Sequence, residues 1–276
     1  MDHGFLPWPA QCWRIVGLNK EGKSEKRWLK AELHSHCNLD PTDYRMCKHT
    51  PEQLISKAAE LGYEVLAITC HDLDIWSEGL ADYAQSLGVA LIPGMEVTDK
   101  GTRHILVYNF HTGADNLNTL EKIRARSRED TLVIAPHPFF PGRSCLGGLL
   151  ENNLGMFDAI ECSGFQVPGL NFNRRGLKLS TRTQKPVVGN GDVHYLWQLG
   201  RTFTWIYSEP DMASIFNAIR RGEVRVEQSN LSWFHAANWW ANTIWRHAFP
   251  VNAPPIKLPL DEIEDGRCFG ATQQGM

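Results

Sequence analysis

The chain has 276 residues, enough for one large domain or two small ones around a substantial buried core. It is 42% hydrophobic and 21% charged with a formal net charge of −3, which gives no electrostatic ground for general binding to nucleic acid or anionic membrane. The 7 cysteines (12, 37, 47, 70, 145, 162 and 268) are odd in number and form no Cys-x-x-Cys pair, which argues against a disulfide framework or a cysteine zinc site and for a reducing compartment. The opening residues lack a basic region followed by an apolar run, and no stretch reaches the ~20 apolar residues needed to span a bilayer, so a cytoplasmic globular protein is expected.

Residues 1–30, with Pro7, Pro9 and a charged patch from Lys20 to Lys30, read as a lead-in holding one short strand at Cys12–Val16. From Ala31 the chain runs Ala-Glu-Leu-His34-Ser-His36-Cys-Asn-Leu-Asp40-Pro-Thr-Asp43, a strand carrying a His-x-His pair with two carboxylates close behind. Positions two apart on a strand point to one face, so His34 and His36 sit side by side and can share one metal ion. Thr50-Pro51-Glu52-Gln53 predicts a helix start with a capping box, and the helix ends near Leu61 before Gly62. Val65 to Asp72 is an almost wholly apolar run ending in His71, as a strand buried on both faces would be. A helix over about Ile75–Leu87 follows, then a strand from Val89 to Glu96 and another over His104–Tyr108.

Asn116 to about Asp130 has the spacing of an amphipathic helix with Leu117, Leu120 and Ile123 inward. Strands are expected at Leu132 to His137, at Phe157–Cys162 and from Pro186 to His194, with one more at Thr202–Tyr207. A last regular helix spans about Pro210–Arg221. Strands alternating with helices at this spacing imply βαβ units and a parallel sheet, and their number fits an α/β barrel better than an open sheet. The division expected is a lead-in (1–30), a barrel domain (31–228) and an extension (229–276) packed on the barrel. In the extension, Trp233 to Trp245 has the spacing of a helix with Phe234, Ala237, Ala241, Ile244 and Trp245 on its packed face. A dimer face or a membrane-interface helix is the functional alternative for that segment.

The chemistry lies in where the polar residues fall. His34, His36, His71, Glu96, His137, Asp192 and His194 each lie at or just past the end of an expected strand, while His104 opens one. In an α/β barrel those ends converge on one rim, where active sites of this architecture lie. Imidazoles and carboxylates meeting there, with no cysteine in a ligand pattern, describe a multinuclear metal site. Cys37 and Cys70, each beside a candidate ligand, are turned away by strand alternation into the core, and Glu161 is expected to support the site through a hydrogen bond.

The order His34-x-His36, Asp40/Asp43, His71-Asp72, Gly94-x-Glu96, His104, Ala-Pro-His137-Pro and Gly191-Asp192-x-His194 resembles the polymerase and histidinol phosphatase (PHP) family of metal-dependent phosphoesterases. The likeness covers about residues 30–228. It implies a distorted (β/α)7 barrel and two or three divalent ions of zinc, manganese or iron. Carried over by position, it implies a first metal at His34, His36, Glu96 and Asp192, with Glu96 bridging to a second at His104 and His137. A third would take His71, His194 and one loop aspartate. The family's usual position for that aspartate is Pro41 here, flanked by Asp40 and Asp43, and both remain candidates. No long insertion separates Glu96 from His137, so the extra domain of some family members is not expected.

The activity expected is hydrolysis of a small phosphomonoester by a hydroxide held between metals, with His194 or Asp72 as proton donor and Arg143 or Arg201 as a phosphate fork. Histidinol phosphate, a nucleotide or a sugar phosphate would suit such a centre, and Phe139, Phe140 and Phe165 fall in rim loops where they would stack on a ring or close the barrel. Two rival readings are a non-catalytic, metal-stabilised binding or regulatory module and a metal-dependent amidohydrolase. The latter usually carries a bridging lysine where this chain has Glu96. The only partners expected are the substrate and, through the Trp-rich segment, a second copy; no membrane or long nucleic acid is expected.

Overall fold

The computed structural model describes residues 25–248. The expected strand at Cys12–Val16 lies outside these residues. Ten strands and seven α-helices follow one another along the described chain. Strand β1 (Arg27–Glu32) pairs in parallel with β2 (Val65–Ala67), and β2 with β3 (Ala90–Ile92). The far side of β1 is antiparallel to β9 (Thr202–Ser208), which is antiparallel to the edge strand β10 (Val224–Gln228). The second sheet runs in the order β4 (Gly94–Thr98), β5 (His104–Tyr108), β6 (Leu132–Ala135), β7 (Ala159–Ser163), β8 (Val187–Asn190). Its first two pairings are antiparallel and its last two parallel.

This corrects the expected barrel of parallel strands. The described residues form two mixed five-stranded sheets and no closed barrel. The single strand expected from Val89 to Glu96 is divided at Pro93, which has no N–H to give a ladder, so β3 closes one sheet and β4 opens the other. The chain then doubles back through Asp99–Arg103, making β5 antiparallel to β4. Between the sheets, isolated bridges join Ser35 to Val193 and His71 to Glu96, both at the end where the histidines gather.

A core cluster drawn from both sheets includes Leu29, Ala31, Val65, Leu106, Leu132, Ile134 and Val188, and helix α6 (Met212–Arg220) contributes Ile215, Phe216 and Ile219 to it. Helices α1 (Pro51–Glu60) and α2 (Glu78–Ser86) bury Leu54, Ile55 and Ala84 against Leu66 and Leu91. The capping box of Thr50 and Gln53 is present, because each side chain satisfies a backbone N–H that the first turn leaves open. Ser77, rather than Ile75, starts α2, its hydroxyl accepting from the Leu80 N–H. On the other sheet, α3 (Leu120–Arg126), α4 (Gly148–Asn152) and α5 (Arg174–Thr183) cover Val107, Val133 and Ile160. The helices at 148–152 and 174–183 and strand β10 were not expected from sequence; each holds only two large apolar residues.

Helix α7 (Trp233–Ala248) forms where the Trp-rich segment predicts it, with a different face packed. Phe234 is 76% exposed and Ala237 and Ala241 are exposed, whereas Ala236 is buried with Val167 and Leu231, and Trp239 lies 4.6 Å from Phe165. No helix among the described residues is long and apolar enough to cross a membrane.

Candidate metal centre

β1 stops at Glu32, so the His-x-His lies just past the strand rather than in it. Extended geometry is nevertheless maintained through Ser35, whose N–H donates to Thr69 Oγ1 and whose hydroxyl donates to the Ala67 carbonyl. His34 and His36 therefore project to the same side, their ring centroids 5.2 Å apart. His71 follows β2, His137 follows β6, and Asp192 and His194 follow β8. Asp72, His137 and Asp192 adopt left-handed backbone angles (φ 53°, 28° and 48°), costly conformations for non-glycine residues that mark tight turns at this rim. His104 reaches the same end because its strand runs backwards: Thr98 at the end of β4 pairs with His104 at the start of β5.

Glu96 lies at the centre of the group and is 1% exposed. Its Oε2 is 3.2 Å from His34 Nε2, 3.4 Å from His36 Nε2 and 3.2 Å from His71 Nε2. Its Oε1 is 2.8 Å from His104 Nδ1 and 3.2 Å from His137 Nε2. Asp192 Oδ1 lies 3.4 Å from His34 Nε2 and 3.3 Å from His36 Nε2. His194 Nε2 is 2.7 Å from Asp43 Oδ2, which is 3.8 Å from His71 Nδ1. All six expected imidazoles and the expected carboxylates Glu96 and Asp192 are thus brought together, with both loop aspartates beside them.

Divalent ions fit this donor set. A tetrahedral ion with bonds of ~2.0–2.1 Å requires ligand atoms about 3.3 Å apart. The separations of His34 Nε2 and His36 Nε2 from Glu96 Oε2 and Asp192 Oδ1 span 3.2–3.4 Å. Buried His36 Nε2 makes no hydrogen bond although it faces both carboxylates, as a nitrogen aimed at a cation would. Other groups whose donor atoms lie within 4.8 Å of one another are His34–His137–Asp192, His71–Glu96–His104, His36–Asp192–His194 and His36–Asp40–His71.

The electrostatics also favour positive charge here. Burial opposes ionisation of Glu96, but His104, His34 and His71 outweigh it and hold the carboxyl well below its usual range. Asp192 is likewise held down by His34 and His194 against the cost of burial. Burial pulls His71 down, yet Glu96 and Asp40 push it up to about 9. Protons on the His34 and His71 rings thus compensate the carboxylates, and ligation by a cation would displace them.

Asp40 and Asp43 occupy different environments. Asp40 accepts from the Thr42, Asp43 and His71 N–H groups and from His36 Nδ1, so its oxygens are surrounded by donors. Asp43 faces His194 instead. Of the other expected site residues, Asp72 is exposed and its Oδ1 accepts from the Thr98 N–H. Arg143 is exposed in the loop after His137, and Arg201 lies over the Trp197 ring with Nε donating to the Trp197 carbonyl. Phe140 is 6.4 Å from the His137 ring, whereas Phe139 packs beneath Arg175. Cys37 and Cys70 are buried in the core, their sulfurs 3.5 Å apart.

A supporting shell was only partly anticipated. Glu161 accepts from His34 Nδ1, as expected of it, while Glu32 accepts from the His34 and Gly191 N–H groups and Gln198 from the His194 N–H. His49 Nε2 donates to the His36 carbonyl. Glu32 and Gln198 carry no motif spacing in the sequence; the one signal Glu32 gives is an acidic residue set between Ala31 and Leu33 just before the His-x-His.

A family model described as PHP-associated matches residues 171–224, which contain Asp192, His194 and α6. It bears out the PHP resemblance carried by the motifs. A comparison with curated proteins finds no match. Among solved structures, PsfC from Pseudomonas syringae PB-5123 is similar with a TM-score of 0.52 and 17% identity, covering 80% of this chain and 99% of that one, a likeness of fold alone. A candidate metal-dependent phosphoesterase from Bifidobacterium adolescentis (TM-score 0.44, 16% identity, 62% of this chain and 90% of that one) is more distant. So is an amidohydrolase from Chromobacterium violaceum with bound sulfate and no metal (0.44, 14%, 59% and 87%).

Proposed function

We propose that the protein is a metal-dependent phosphoesterase acting on small phosphomonoesters. The observation that carries this reading is the buried ring of nitrogen and oxygen donors around Glu96, whose two oxygens face two separate ligand groups. His34, His36, Glu96 and Asp192 would hold one ion, and Glu96, His104 and His137 a second. His71, His194 and Asp43 would form a third set, with Asp43 taking the loop position because the oxygens of Asp40 are already surrounded by donors, the His71 ring Nδ1 at 3.0 Å among them. Divalent ions held there would draw in phosphate oxygens and lower the pKa of a coordinated water toward ~7.

The chain's own residues account for the rest. The buried rings exclude bulk water from the centre, while the side chains of Asp192 and His104, 18% and 19% exposed, mark the open side. A terminal phosphate can enter such an opening end-on, and a net charge of −3 offers no basic track for a long polynucleotide. With His194 assigned to the third set and the Asp72 carboxylate bonded to Thr98, the departing alkoxide takes its proton from water at the open side.

The test is inorganic phosphate release from a panel of sugar phosphates, nucleotides and amino-alcohol phosphates. Manganese-loaded and chelator-treated protein are compared side by side. Metal-dependent release from one class is expected. Bound metal with no release from any monoester would overturn the reading in favour of a non-catalytic metal module or another hydrolase chemistry.

A further inference from the structure

Glu161 lies at the middle of β7, where strand alternation directs it to the same side as Ala159, a member of the core cluster drawn from both sheets. Its side chain has no exposed surface, and three donors converge on its two oxygens. Oε1 accepts from His34 Nδ1 at 2.9 Å and from Asn190 Nδ2 at 2.9 Å, while Oε2 accepts from the His137 backbone N–H at 2.7 Å. Asn190 is itself held, its Oδ1 accepting from the Leu33 N–H.

We infer that Glu161 is a positioning residue that fixes one ligand of each of two neighbouring ion positions at once, His34 through its ring and His137 through its main chain. The inference rests on the metal reading proposed above. On the first arm, a carboxylate at Nδ1 puts the ring proton there and leaves the Nε2 lone pair aimed at Glu96 and Asp192. On the second arm, the bond to the His137 N–H holds a backbone at φ 28°, a conformation that histidine adopts only when its surroundings impose it. The next residue, Pro138, has no N–H with which to replace this anchor. The two arms share one carboxylate, so loss of Glu161 disturbs both positions together, although it would contact neither ion.

A glutamine at 161 cannot satisfy all three donors, because its amide nitrogen must face at least one N–H. Facing His34, it would favour the tautomer that blocks Nε2; facing His137, it would release the strained turn. An aspartate keeps the charge but falls short by one methylene.

The experiment titrates metal-stripped full-length protein with manganese against a competing chromophoric chelator, for wild type, Glu161→Gln, Glu161→Asp and His104→Ala. Far-UV circular dichroism of each stripped protein reports folding. Wild type is expected to bind at least two equivalents tightly. Both Glu161 variants are expected to stay folded and bind two equivalents about 10- to 100-fold more weakly, whereas His104→Ala weakens one. A folded Glu161→Gln that binds as wild type does, or loses one equivalent only, overturns the inference and leaves the metal reading intact. If Glu161→Gln does not fold, Glu161→Asp is judged by the same criteria. Failure of both to fold makes Glu161 a folding residue and overturns the positioning role. A wild type that binds no metal overturns the metal reading and this inference with it.

Discussion

Asp40 and Asp43 sit three residues apart in one loop, yet their bonds predict separable consequences. Removing the Asp40 carboxylate strips the acceptor from the Thr42, Asp43 and His71 N–H groups and from the His36 ring. Each N–H left unpaired costs about 1–3 kcal/mol where it is buried. Asp40→Ala is therefore expected to lower the melting temperature by roughly 5 °C or more, read in a thermal scan of metal-free protein. Asp43→Ala removes the oxygen facing His194. It should weaken binding of one metal equivalent with a smaller effect on metal-free melting; a reversed pattern would exchange the two assignments. His137→Ala should abolish metal-dependent phosphate release while circular dichroism stays native, because the ring contributes a donor at the centre and little to the core. Unchanged turnover would sink the two-ion scheme.

At the scale of elements, the meeting of the two sheets depends on close approach where ladders are absent. A Cβ on Gly189 in β8 would lie 2.5 Å from Val226 Cγ1 in β10 and 3.1 Å from the Phe203 carbonyl in β9. Three strands from two sheets converge there, and the backbone atom has no room to yield. Gly189→Ala is expected to cost about 1–3 kcal/mol through overpacking, measured as a lower urea midpoint with an unchanged slope. A neutral outcome would show that β8 and β10 separate freely. The same reasoning explains why α7 turned a different face inward: Val167 and Leu231 offer a surface only to Ala236 and its neighbours, leaving Phe234 in solvent.

For the whole molecule, metal binding and buried titratable groups are expected to shape the stability profile. Ions that bind only the folded chain stabilise it by about 2.7 kcal/mol at a free concentration one hundred times the dissociation constant. Chelation is therefore expected to lower the melting temperature by roughly 5–10 °C, and an identical melt with and without chelator would argue against a filled site. Burial, with the Glu161 charge adding to it, pushes the Cys162 thiol from 9.0 up to about 12. The unfolded thiol ionises near 9.0 and the folded one does not, so its contribution is complete below that pH and is lost as pH rises toward about 12. Burial also raises the buried phenols Tyr63 and Tyr108, which add to the same trend. Urea midpoints should fall steadily from pH 9 to 11, and Cys162→Ser should flatten part of that fall.

Much of this centre was legible in the chain because its ligands follow apolar runs whose ends are marked. His34, His36, His71, His137, Asp192 and His194 each come just after a stretch that must be buried, and local spacing alone puts such residues at strand ends. The capping box at Thr50 and the start of α6 at Asp211 are equally local, written in residues three apart. The direction and partner of each strand were not legible. Pro93 and the turn at 99–103 reverse the chain, and that reversal places His104 beside Glu96 and makes two mixed sheets instead of a parallel barrel. The different surroundings of Asp40 and Asp43, and the support given by Glu32, Asn190 and Gln198, were likewise decided by contacts between segments up to 159 positions apart. The sequence by itself determined which side chains could bind metal and which runs must be buried, because those depend on residue type and near neighbours. Only the tertiary structure decided which donors face one another, because that depends on how distant strands pair.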